Sequence, residues 1–152
     1  RLDPVLGRSR ITDIWYPEVV RLRAEWRTNV ATDRERFAFD ALRLIDRALI
    51  LAPSKDLYLL RVVSAIALND SDLAIESSRY VASYIETEVY QASTQGGSIS
   101  AEEIATMRQN LGGILTHLRG DLPDGDPARA AAVLSAVTET LEQLEAYAAS
   151  VN

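Results

Sequence analysis

Two runs near the end of the chain space their apolar residues alternately three and four positions apart. The first is Ile104, Met107, Leu111, Ile114 and Leu118; the second is Ala130, Leu134, Val137, Leu141, Leu144, Ala148 and Val151. At 3.6 residues per turn that rhythm falls on one stripe of an α-helix. The link between the runs, Arg119 to Pro127, is short and rich in turn formers, so the two helices are expected to fold back antiparallel and bury their stripes together. A chain built this way is a helical packing device before anything else.

The remaining segments follow the same logic. Residues 1 to 14 carry Asp3-Pro4, Gly7 and alternating arginines without a sustained period, and read as an extended arm. A first helix is expected from Pro17, where proline suits the first helical position, to about Thr28, with Val19, Val20, Leu22 and Trp26 available for burial. Thr32 and Glu35 form a capping box for a second helix. Its stripe is Phe37, Ala41, Leu44, Ala48 and Leu51, widened by Ala38, Leu42, Ile45 and Leu49, and Pro53 ends it. Ser54 caps a third helix from Lys55 to about Leu68, apolar on nearly all sides and therefore central. Asn69-Asp70-Ser71-Asp72 breaks and restarts the chain into a fourth helix reaching about Gln91, with Ala74, Ser78, Val81, Ile85 and Val89 inward. Ser100 with Glu103 opens the fifth helix by another capping box, and Asp126 followed by Pro127 opens the sixth. The expected fold is all-α: an up-and-down antiparallel four-helix bundle over residues 55–152 with an N-terminal helical extension. Residues 1–54 form an arm and two helices packing on, or docking beside, that bundle.

Composition narrows the function classes. At 152 residues, 47% hydrophobic and 25% charged, the chain can bury a real core unaided. It has no cysteine, so disulfides, thiolate catalysis and cysteine-ligated metals are excluded. The net charge of -6 argues against nucleic acid as a partner, because phosphate binding runs on clustered Lys and Arg. Charge is uneven: Arg1 to Arg47 hold 10 basic and 8 acidic residues, net +2, whereas Ala48 onward holds 6 basic and 14 acidic, net -8. The longest apolar run, Leu57 to Leu68, is interrupted by Arg61 and Ser64 and is about half the roughly 20 residues of a membrane span. The opening Arg1, with Met107 the sole methionine, suggests a processed protein or a piece of a longer one.

No catalytic constellation stands out. His117, the single histidine, has no visible partner to orient it or share a metal, so a structural or surface role is favoured. Asp121, Asp124 and Asp126 lie in one loop but lack the ordered ladder and distal glutamate of a calcium loop, and turn formation accounts for them. Gly112-Gly113 interrupts a periodic helix at roughly 1 kcal/mol each, which calls for close approach of a neighbour or a kink. The carboxylate pairs Asp70/Asp72, Glu86/Glu88 and Glu102/Glu103 are one or two positions apart and point in different directions. Neither a cofactor nor a metal is called for. The candidate partner-binding set is N-terminal: Arg8, Arg10, Trp15, Tyr16, Arg21, Arg23, Trp26 and Arg27 combine both tryptophans with a run of arginines, residue types enriched at interface hot spots.

From about Lys55 onward the order of features resembles the Psb twenty-seven family, small four-helix lumenal proteins of photosystem II assembly and repair. The residues that carry it are Ala65-Ile66-Ala67-Leu68, Tyr80-Val81 and Tyr84, then Thr106-Met107, Leu111 and His117, followed by a proline-containing loop and one last helix. Met107-Arg108, Leu111-Gly112, Leu115 and Leu118-Arg119 are also similar to the extrinsic PsbQ family. The resemblance implies a non-enzymatic extrinsic subunit in the thylakoid lumen, peripheral to the membrane, docking on lumenal loops of the photosystem II core. A second resemblance, Ala41, Ile45, Ala48 and Pro53 to the second helix of a tetratricopeptide repeat, implies an adaptor that binds a peptide or protein partner. A third class, a helical enzyme or ligand-binding domain completed by a partner, would show itself by a thermal shift with a small molecule.

Overall fold

The computed structural model describes residues 31–120 and 122–151, with side chains from residue 35 onward. The expected helix Pro17 to Thr28 and the arm before it lie outside the described residues. Five helices follow in order: α1 Ala31–Leu51, α2 Lys55–Ala67, α3 Ser71–Thr94, α4 Ala101–Arg119 and α5 Pro127–Ser150. The described residues contain no strand, and the fold is an all-α bundle. No helix among them is long and apolar enough to cross a membrane.

Local chemistry sets the helix starts. The Ser54 hydroxyl accepts from the Leu57 N–H at 3.2 Å, and the Asp70 carboxylate accepts from the Leu73 N–H at 3.2 Å. Ser100 and Glu103 form the complete reciprocal box, with bonds of 3.1 and 3.3 Å. Asp126 accepts from the Ala128 N–H at 3.0 Å, with Pro127 at the first helical position. α1 is already helical at Ala31, one residue ahead of the Thr32 cap that the sequence predicts. Between α2 and α3 the chain turns through Asn69 at φ 55°, a left-handed conformation that asparagine tolerates better than most residues.

Packing then arranges the helices as α1 on α2, α2 on α3, α3 beside α5, and α5 on α4, with α3 and α4 touching only lightly. Directions alternate along the chain. Lys55, at the start of α2, pairs at 3.2 Å with Glu88 in the last third of α3, so those helices are antiparallel. α5 starts where α3 starts: the Ser71 hydroxyl donates to the Pro123 carbonyl at 2.6 Å, and the Asp126 N–H donates to the Asp72 carboxylate at 3.2 Å. α3 and α5 therefore lie parallel and adjacent. Gly125 permits this junction, because a Cβ there would sit 3.2 Å from the Ser71 Cβ and 3.3 Å from the Leu122 Cβ.

Two cores result. The larger joins all four bundle helices through residues such as Val62, Ile75, Ile85, Met107, Leu111, Val137 and Leu144. A smaller seam, Ala41, Ile45 and Ala48 against Leu57 and Leu60, holds α1 to α2. The α4 stripe is buried at all five expected positions. On α5 the buried set is wider: Val133, Thr140 and Tyr147 join Ala130, Val137, Leu144 and Ala148, while Leu134 and Leu141 are only half-buried and Val151 is exposed.

The glycine pair of α4 meets neither a close neighbour nor a kink. Nothing lies within 4 Å of a Cβ built at Gly112 or Gly113, and α4 runs unbroken through both, so no close neighbour requires them. Each is an uncompensated helix-interior glycine. Gly112→Ala and Gly113→Ala should therefore each stabilise the protein by about 0.5–1 kcal/mol, read as a raised denaturation midpoint at constant m.

Candidate functional site

The eight residues expected to bind a partner, Arg8, Arg10, Trp15, Tyr16, Arg21, Arg23, Trp26 and Arg27, all lie outside the described residues. The carboxylate pairs do not converge. Asp70 caps α3, Asp72 receives the Asp126 N–H, Glu88 pairs with Lys55, and Glu103 closes its capping box. Glu86 and Glu102 face solvent. Asp126 caps α5, and Asp124 is an exposed turn residue at φ 56°; Asp121 is outside the described set. Among the described residues no group of three or more acidic or histidine side chains is placed to hold a metal ion.

His117 is half-buried in the last turn of α4, and its buried Nε2 has no hydrogen-bond partner. A helix C-terminus favours a cation, yet burial wins and holds the imidazole pKa below its usual value. The native state thus keeps His117 neutral where the unfolded chain takes up a proton. Stability from this group is complete above about pH 6.5 and is lost as pH falls from there toward the depressed native pKa. The melting temperature of a His117→Gln variant should accordingly decline less between pH 7.5 and 5.5 than that of the parent, measured side by side by circular dichroism.

Surface ion pairs tie neighbouring helices together without forming a site. Arg108 on α4 grips Glu145 on α5 with a forked pair, its Nη2 donating to Oε2 at 3.0 Å. The bond from Arg108 holds the Glu145 carboxyl below the usual carboxylate range. Arg61 on α2 has its Nε 3.6 Å from Asp46 on α1, an ion pair too long for a hydrogen bond.

Three surface features were not legible in the sequence. Tyr58 on α2 stacks on Tyr80 of α3, with centroids 4.5 Å apart and planes 10° apart, and leans against Tyr84 at 5.8 Å. Burial, then the neighbouring Tyr80 and Tyr84, raises the Tyr58 phenol pKa. Tyr80 and Tyr84, four apart on one helix face, were the available signal. A groove of about 470 Å³ runs between α2 and α4, walled by Leu59, Val63 and Ile66 on one side and by Gln109, Asn110 and Gly113 on the other. The third feature is a cleft of about 540 Å³ between the C-terminal halves of α3 and α5, bordered by Glu86, Tyr90, Ser93, Gln143, Ala146 and Tyr147. Both openings depend on which helices become neighbours, and periodicity does not encode that.

No protein-family model matches the chain, no curated protein matches it, and no solved structure matches it.

Proposed function

We propose that this chain is a non-catalytic docking subunit that binds a larger protein assembly through its outer surface. The observation that supports this reading is the groove between α2 and α4. Those two helices leave one side of the bundle open, with Leu59, Val63 and Ile66 along it, and Ile66 is 37% exposed. Aliphatic side chains at positions 59, 63 and 66 follow helical spacing and suit a partner helix laid into a groove.

In its sharper form the proposal is an extrinsic subunit on the lumenal side of photosystem II, acting in assembly, repair or stabilisation of the oxygen-evolving side. That form rests on the residue pattern from Lys55 onward. The arginine and aromatic set of residues 8–27 would supply docking anchors. The test is reconstitution of the full chain with thylakoid membranes stripped of their extrinsic proteins. Saturable attachment released by high salt or alkali is expected, and absence of attachment contradicts the photosystem form. Replacing Arg8, Arg10, Arg21 and Arg23 by glutamine should weaken attachment and flatten its salt dependence while leaving the melting temperature unchanged; undiminished attachment would discredit the arm as a dock.

A second reading, a tetratricopeptide-like adaptor, is favoured by one observation. α1 and α2 form a hairpin closed by Ala41, Ile45, Ala48, Leu57 and Leu60, and α3 packs next on α2, as successive hairpins stack. Under that reading the partner is a soluble peptide or protein, and the stripped membranes give no signal.

A further inference from the structure

We infer that the cleft between the C-terminal halves of α3 and α5 seats the guanidinium or ammonium group of an arginine- or lysine-bearing segment of a protein partner. The inference stands apart from docking through the α2–α4 groove.

Charge is the first argument. The sequence has no Lys or Arg between Arg79 and Arg108, and none after Arg129, so neither wall of the cleft carries a cation of its own. Because α3 and α5 are parallel, both C-termini lie at this end, each equivalent to about half a negative charge, and neither last turn holds a basic residue to offset it. Two aligned carbonyl ends therefore bias one opening toward cations.

The side chains complete the fit. Glu86, at the border, is exposed and makes no hydrogen bond or ion pair with a described residue, whereas Glu88 and Glu145 are already paired. Tyr90 is 62% exposed and supplies aromatic surface at the mouth. Tyr147 is buried and fixed, its hydroxyl accepting from the Ile99 N–H at 3.1 Å. Small residues, Ser93 and Ala146, keep the space between them open. A carboxylate and two aromatic rings around one cavity, at the end of the bundle where two helix C-termini lie, match a cationic side chain, by ion pairing and cation–π contact together.

The test titrates the full chain, isotope-labelled, with a penta-arginine peptide at low salt and follows backbone amide shifts. Saturable shifts confined to residues 86–93 and 143–150 are expected, and a penta-glutamine peptide should produce none. Glu86→Gln and Tyr90→Leu should each weaken binding about threefold or more. Tyr80→Leu, which alters an exposed tyrosine elsewhere on α3, should leave it unchanged, as should Ile66→Glu in the other groove. Shifts scattered over the acidic surface and indifferent to Glu86→Gln and Tyr90→Leu would overturn the proposal. So would the absence of binding.

Discussion

Leu144→Ala is expected to lower the free energy of unfolding by about 2 to 5 kcal/mol, the range for deleting a leucine side chain from a core that relaxes only partly. Leu144 has no exposed surface, and it belongs to the cluster that includes Met107, Leu111, Val137 and Ala148. It is fully enclosed, and truncation leaves a void that solvent cannot fill. Leu141 belongs to the same stripe by spacing but is only half-buried at the edge of that cluster. Leu141→Ala should therefore cost visibly less than Leu144→Ala in the same urea titration. Equal costs would mean that the stripe, rather than the observed burial, sets the energetics. A shift below about half a kcal/mol at Leu144 would remove α5 from the core altogether.

Ile45→Asp should release α1 while the rest of the bundle stays folded. Ile45 is fully buried in the smaller seam, so the substitution places a carboxylate among Ala41, Ala48, Leu57 and Leu60 with no cation in that seam. An unpaired buried charge costs more than a seam of five residues can absorb. The least costly response is to expose it by undocking the helix. The larger core draws on α2 through Val62, Tyr58 and Leu59 rather than through Leu57 and Leu60, so it survives. Circular dichroism should report a loss of helix on the scale of the 21 residues of α1, with the main unfolding transition retained. Complete loss of helix would show that the two cores are one cooperative unit.

Sequence and structure agree where the physics is local. The Ser100–Glu103 box and the Asp126–Pro127 start each lie within four residues, and the α4 stripe lies on one face; spacing alone decides them. The neighbour relations are a different matter. α3 and α5 are brought together by Ser71 and Asp72 reaching residues 52 and 54 positions away, a contact that no short window contains. Because α5 meets both α3 and α4, its buried face broadens to include Val133, Thr140 and Tyr147, where a single stripe suggests Leu134, Leu141 and Val151. Gly112 and Gly113 mislead for a related reason: the glycine that does serve a close approach is Gly125, in the junction loop. The clefts, being gaps between distant segments, leave no mark in the periodicity.

Native-state hydrogen exchange on the unmodified chain tests the central claim most directly, since that claim is a dry bundle with a shared core and α1 held to it by a separate seam. Amides at Ile85, Leu111, Val137 and Leu144 should exchange only through global unfolding, with one common free energy. Amides at Ala41, Ile45 and Ala48 should open at a distinctly lower free energy. A single value across both groups, or α4 and α5 opening before α1, would contradict the account.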